Sequence, residues 1–254
     1  MAIVGFLAVP PRELGQWAEE GWHPAWMACH FSAYGRGLSN LPQTLPAGSL
    51  LLVDDQNPIQ GHDRLLVSRQ IQDCVDAFSC AGVLLDFQRP GNGEAEAVVS
   101  FLEENLTCPL GVSALYGKGA KCAVCLPPPP CHVPLKDHLA PWQGREVWLE
   151  LAGEGETIFL TKTGAKITPS CTPPAKPPFR EPELHCRYTI STEESQARFT
   201  LWRTREDLLN LAREAESLGV TRTLGLWQEL TGEYEKAQYV EIGDTRYEIE
   251  DKER

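Results

Sequence analysis

Positive charge is scarce in this sequence. Its 23 Lys and Arg stand against 35 Asp and Glu, a formal net charge of −12. Nucleic acid and anionic membrane surfaces are bound by clustered Lys and Arg, so neither is expected as a partner. The chain also lacks any window of roughly 20 apolar residues, the length of a membrane span. Its apolar start, Met1 to Pro10, has no basic lead, no long apolar region and no small-residue cleavage site, and it runs into Pro10-Pro11-Arg12-Glu13. That reads as a first strand and not as a secretory leader, which makes a cytoplasmic location the expectation. No Gly-rich phosphate fingerprint follows any apolar run. This argues against an open, doubly wound nucleotide-binding sheet, and no cofactor is expected.

A metal framework is missing too. There are nine cysteines, but only one CxxC, Cys122-Ala-Val-Cys125, with Cys131-His132 nearby. Cys122 and Cys125 fall in a strand-like run, where residues three apart point to opposite faces. Cys74, Cys108 and Cys122 have apolar neighbours. Reduced thiols acting as small core hydrophobes are expected, and no metal.

What is present is enough for a sizeable core: 254 residues, 42% of them hydrophobic. Ala2 to Val9 is a continuous apolar run, as in a strand buried on both faces. Pro11 to Gly21 reads as a short helix. Trp22 to Leu45 carries Trp22, Trp26, His30, Phe31 and Tyr34, and is expected to be an aromatic-rich, partly helical loop layer. Strand-like runs follow at Ser49–Asp55, Gly82–Phe87, Pro109–Tyr116, Lys121–Leu126 and Glu146–Leu151, counted as strands two to six. Helices are predicted over Arg64–Phe78, capped by Asp63, and over Glu94–Leu106.

After Leu151 the pattern changes. Glu156–Lys162 and Ala165–Thr168, joined through Thr163-Gly164, predict an exposed β-hairpin. Cys171 to Pro182 is a proline-rich loop. His185–Ile190 and Ala197–Trp202 are strand-like, and one of them is counted as the seventh strand. A helix over Arg205–Leu218, capped by Thr204, precedes the last strand, Thr223–Gln228. The expectation is an α/β fold, an irregular (β/α)8 TIM-like barrel with a β-hairpin insertion after strand six. It would occupy residues 1–234 as a single domain, with the hairpin and proline-rich insertion at about 154–184 and a tail at 235–254.

In such a barrel the C-terminal ends of the strands form the functional face. The polar residues there are Asp54, Asp55, Asp86, Gln88, Tyr116, His132, Glu150, Trp202, Arg203, Trp227, Gln228 and Glu229. Carboxylates converging over aromatic rings suit glycoside chemistry, with an acid at the leaving oxygen and rings stacked on sugar. On that reading Asp86, Glu150 and Glu229 are the catalytic candidates. Asp54, Asp55, Gln88, Tyr116, His132, Trp202, Arg203 and Trp227 would bind a small carbohydrate. Each has a competing structural reading. Asp54-Asp55 would cap the next turn, Asp86 would pair with Arg89, and Glu150 would face either the barrel interior or a helix. His132 would lie on the surface, and Glu229 would start a helix.

Ala81-Gly-Val-Leu-Leu-Asp-Phe-Gln88 resembles the strand-four motif of chitinase-like glycoside hydrolases, where acids recur at every second position and end in a Glu general acid. Asp86 matches the penultimate acid. Gly82 and Leu84 replace the earlier ones, and Gln88 stands in place of the catalytic Glu. Leu224-Gly-Leu-Trp227 is similar to the strand-eight tryptophan of that family. The resemblance implies a barrel that acts on or binds a sugar. A glutamine cannot donate a proton as an acid does, so the alternative is a non-catalytic carbohydrate-binding or protein-interaction barrel.

Overall fold

Short apolar runs separated by polar turns become strands here because burial on both faces offsets the cost of ordering them. A computed structural model describes residues 3–11, 14, 21–170, 179–193, 196–231, 239–242 and 245–248. Most of the predicted helix over 11–21, residues 12, 13 and 15–20, and most of the proline-rich stretch, residues 171–178, lie outside the described residues.

The chain forms two compact units. The first comprises Met1–Pro128, Leu139–Glu150 and Ala215–Leu224; the second comprises Pro129–His138, Leu151–Glu214 and Gly225–Arg254. The first carries the strands β1 (Val4–Ala8), β2 (Trp22–Phe31), β3 (Leu38–Ser39) and β4 (Leu50–Asp54), then the helix α1 (Arg64–Phe78). Next come β5 (Gly82–Asp86), α2 (Gly93–Asn105), β6 (Leu110–Ser113), a helical turn α3 (Ala114–Gly117) and β7 (Ala123–Leu126). β8 (Val147–Leu151) follows; the turn α4 (Leu135–Leu139) before it falls, up to His138, in the second unit.

The sheet runs β1-β14-β8-β7-β6-β5-β4-β2, where β14 is Arg222–Leu226, and β1 also pairs with β2. That pairing closes an eight-stranded parallel barrel of TIM type.

The barrel has one more strand in its first half than the sequence pattern predicts. Trp22–Phe31 is the second barrel strand, not a loop layer. Pro24 and a register shift between Trp26 and Cys29 interrupt its pattern, which hides its period. Every later strand moves up by one: Gly82–Asp86 is the fourth, and Val147–Leu151 the seventh. The insertion therefore follows the seventh strand, although it begins where the sequence placed it. His185–Ile190 and Ala197–Trp202 supply no barrel strand. Tyr116 belongs to the turn α3 and not to a strand end.

Two apolar layers sit on either side of the barrel wall. Phe6, Ala8, Leu50, Leu52, Leu84, Cys125, Trp148 and Leu224 fill the interior. Leu51, Val53, Val83, Leu85, Phe87 and Val112 pack outward with Val67 and Ile71 of α1 and Val98 and Leu102 of α2. Gly111 is required inside the barrel, because a Cβ there would meet the Trp148 ring at 2.6 Å. α1 starts as predicted, with the Asp63 carboxylate accepting from the Leu65 and Leu66 amides.

The second unit is organised by an antiparallel sheet ordered β10-β9-β13-β12-β11. Its strands are β9 (Gly155–Thr161), β10 (Gly164–Ser170), β11 (Phe179–Glu181), β12 (Cys186–Glu193) and β13 (Gln196–Trp202). β9 and β10 are the predicted hairpin. Cys131, Cys186 and Leu201 form its small core, with Ile158, Leu184, Tyr188 and Phe199 against them.

The helix α5 (Arg205–Ser217) starts on a reciprocal cap. Asp207 accepts from the Thr204 amide and hydroxyl at 3.0 and 2.7 Å, and from Arg187 Nε at 3.1 Å. The turn α6 (Trp227–Thr231) follows β14. In the tail, Tyr239–Ile242 pairs antiparallel with Thr245–Glu248.

Candidate functional site

Alternation along a strand decides which side chains reach the interior of a barrel. In β4, Leu50 and Leu52 point inward, so Asp54 points inward at the C-terminal rim. In β5, Leu84 and then Asp86 do the same; in β8, Trp148 and then Glu150. The register makes Asp54 and Asp86 direct neighbours, and His30 of β2 the neighbour of Asp54. Adjacent strands lie about 4.8 Å apart. His30, Asp54 and Asp86 thus form a continuous row on the rim of the first unit.

Gln88 completes the row: its amide donates to Asp86 Oδ1. Arg89 donates instead to the Gln56 carbonyl, so the expected ion pair between Asp86 and Arg89 is replaced by the amide contact. Burial holds the Asp86 carboxyl above its ordinary range. The Gln88 hydrogen bond pulls the other way, and the charges of Asp54 and Asp55 add to the rise. Deeper in, the Cys125 thiol faces Glu150 Oε1 at 3.9 Å. It is pushed well up by burial, then by the charges of Glu150 and Asp86. Glu150 therefore faces the barrel interior, and Asp86 and Glu150 both lie within electrostatic reach of one buried sulfur.

A carboxyl raised in the folded state binds its proton more tightly there than in the unfolded chain. Its contribution favours folding below the unfolded pKa and is lost as pH rises through the folded one. Asp86→Asn is therefore expected to unfold at a higher urea concentration than the parent at neutral pH. The variant should also lose less stability between about pH 4 and pH 7. A variant that unfolds earlier at neutral pH would show that the ionised carboxylate is not under tension.

Two other candidates on this unit hold the rim. Asp55 is 3% exposed. Its two oxygens accept from the Gln88 amide at 2.9 Å and the Arg89 amide at 3.0 Å, fixing the turn that carries Gln88. Tyr116 donates to the Arg89 carbonyl and sets its ring edge-on to Phe87, 6.0 Å between centroids. Asp54 also accepts from the Gln56 amide at 2.9 Å, so it caps its turn while facing the interior.

The remaining candidates belong to the second unit. His132 pairs with Glu156 at 2.7 Å. Trp202 is buried at the end of β13. Arg203 is 5% exposed and donates to four carbonyls, those of Pro129, Pro130, Leu184 and His185. Trp227 opens α6, half-buried. Glu229 accepts from the Gly153 amide at 2.8 Å; burial raises its carboxyl, that hydrogen bond lowers it, and the Glu154 charge raises it.

His30 and Cys125 were not among the sequence candidates. His30 was visible as a polar residue, but only the strand reading of Trp22–Phe31, with its shift of register, brings it to the rim. Among the described residues no group of His, Cys, Asp and Glu is arranged to hold a metal ion.

No protein-family model matches the chain, and no curated protein matches it in sequence. Solved structures match its fold. A glycoside hydrolase family 18 N-acetylglucosaminidase from Paenibacillus barengoltzii superposes with a TM-score of 0.60 at 9% identity, covering 91% of this chain and 98% of that one. A family 18 chitinase variant from Cycas revoluta, in complex with (GlcNAc)4, gives 0.55 at 9% identity, with coverages of 88% and 94%. A class V chitinase variant from Nicotiana tobaccum, in complex with NAG4, gives 0.52 at 9% identity, with coverages of 81% and 86%. At such identities the likeness is one of fold: a chitinase-like, glycoside-hydrolase-type barrel.

Proposed function

We propose that the chain binds an oligosaccharide of N-acetylglucosamine type at the C-terminal rim of the barrel and holds it without rapid hydrolysis. The observation that carries this is the in-register row of His30, Asp54 and Asp86, closed by the Gln88 amide. Carboxylates and an amide supply acceptors and donors for sugar hydroxyls and an acetamido group. Tyr34, fully exposed in the loop after β2, offers a ring for stacking. Gln88 stands where the family resemblance puts a proton donor. Both plant chitinase structures with bound sugar carry a Glu-to-Gln substitution, so a glutamine-bearing barrel of this kind is compatible with sugar binding.

Calorimetric titration of the full chain with chitotetraose tests this. Binding is expected, and Asp86→Ala should weaken it at least about tenfold, as the loss of one charge-assisted hydrogen bond would. No heat from the parent chain, or equal affinity in the variant, counts against the reading.

A second reading is favoured by the raised Asp86 carboxyl: Asp86 itself acts as general acid, with Asp54 or Glu150 as the partner carboxylate. It requires sugar release by the unmodified chain, with a rate that falls as pH rises through the Asp86 pKa.

A further inference from the structure

Away from the rim, Cys74 and Cys80 come together at the end of α1, with the Cys80 thiol directed at the Cys74 main chain. α1 ends at Phe78, and Ser79 takes the left-handed backbone, φ 51°. The Cys80 amide then donates to the Val75 carbonyl at 3.0 Å. This reversal folds Cys80 back over the last helical turns, and its sulfur lies 3.9 Å from the Cys74 carbonyl oxygen. The turn is fixed on both sides: the Gly48 amide donates to the Ser79 carbonyl at 2.9 Å, and the Ala81 amide to the Ser49 carbonyl at 2.8 Å. Two cysteines brought this close by a fixed turn need little backbone movement to bond.

Cys80 is partly exposed and Cys74 is 6% exposed, so a reagent as small as hydrogen peroxide can reach the pair. Cys131 and Cys186 also share a core, but they are 1% and 0% exposed. We propose that Cys74 and Cys80 form a reversible disulfide, a redox-modification site where α1 meets the start of β5, at the end of the barrel opposite the rim.

The chemistry balances with a hydroperoxide as oxidant. The Cys80 S–H held toward Cys74 lowers the Cys74 thiol from its ordinary range, while Cys80 is raised by the same contact. The Cys74 thiolate attacks one peroxide oxygen; the O–O bond breaks, and a sulfenic acid forms as water or an alcohol leaves. The Cys80 sulfur then attacks the Cys74 sulfur. The S–O bond breaks, the S–S bond forms, and the hydroxide leaves as water with the proton from Cys80. Two electrons pass from the sulfurs to the peroxide, and a dithiol reverses the change by exchange.

The test treats the full chain with hydrogen peroxide, alkylates the remaining thiols and maps an unreduced digest by mass. The segment holding Cys74 and Cys80 is expected to be lighter by two hydrogens and unalkylated at both, with Cys108 still alkylated. Dithiothreitol should restore both thiols. Alkylation of Cys74 and Cys80 after oxidation, or a link from Cys80 to Cys108, overturns the proposal. In Cys80→Ser the reaction should stop at a Cys74 sulfenic acid that a dimedone probe labels. A Cys74 that stays unlabelled in a variant with the parent's circular dichroism overturns it too.

Discussion

Arg203→Met is expected to lower the stability of the second unit by roughly 3–5 kcal/mol, read as a shift of its urea midpoint. The guanidinium is buried and reaches four carbonyls, from Pro129 at 2.6 Å, His185 at 3.2 Å, Pro130 at 3.3 Å and Leu184 at 3.4 Å. These carbonyls belong to two loops far apart in sequence, and one planar group joins them. Replacing a buried charge with an apolar side chain often costs little when both partners of a pair are removed. Here the acceptors are main-chain carbonyls, which stay in place and lose their donors. Arg203→Lys should recover only part of the loss, since an ammonium cannot span acceptors set around a planar fork. The folded variant should keep the parent's affinity for chitotetraose. A loss of affinity at unchanged stability would return Arg203 to the binding face.

The same residue shows where reading a sequence runs out. Arg203 follows a strand and precedes a helix, and in the expected barrel that position is the functional rim. Position along an element says nothing of which sheet the element joins. Ala197–Trp202 alternates as any half-buried strand does, and only long-range pairing with β9 and β12 assigns it to the antiparallel sheet. The parallel strands were easier. Leu50–Val53 and Gly82–Leu85 are continuous apolar runs, a pattern that few other environments impose. Trp22–Phe31 escaped because Pro24 and the register shift break its period, and His30 was lost with it.

Within the site, Asp86 was legible as the polar end of an apolar strand. Glu150 was legible too, but its direction was open until Trp148 fixed the parity of β8. Asp55 and Asp54 are adjacent in the chain and opposite in role. Asp54 keeps the inward parity of the strand, while Asp55 turns out to hold the Gln88–Arg89 main chain. No local signal separates them, because the partner amides lie 33 and 34 residues away. The corrected strand count also strengthens the family resemblance, since Gly82–Asp86 becomes the fourth strand, the one whose motif it resembles.

Gln88→Glu is expected to raise the barrel's hydrolysis of chitotetraose well above that of the parent. The Gln88 amide already donates to Asp86 Oδ1, so a carboxyl of nearly the same shape would sit against Asp86 at the rim. Two carboxyls this close cannot both ionise readily, and one proton would be shared between them near neutral pH. A shared proton at that place is what general acid catalysis of glycosidic cleavage requires, and a positioned acid contributes about 10²–10⁴-fold. Sugar release followed by chromatography should therefore rise about 10²-fold or more above the parent. Its pH profile should have an alkaline limb set by that proton and not by Asp86 alone. Gln88→Ala separates the two readings of the site. It removes the hydrogen bond that lowers the Asp86 carboxyl, so Asp86 should hold its proton to higher pH. If Asp86 alone is the acid, the alanine variant is at least as active as the parent, with its alkaline limb moved up. If the site only binds, the alanine variant is inactive and the glutamate variant alone turns over. A glutamate variant that binds chitotetraose with the parent's affinity and never cleaves it would mean that the scissile bond does not lie over Asp86, and the family analogy would then extend to the fold but not to the rim.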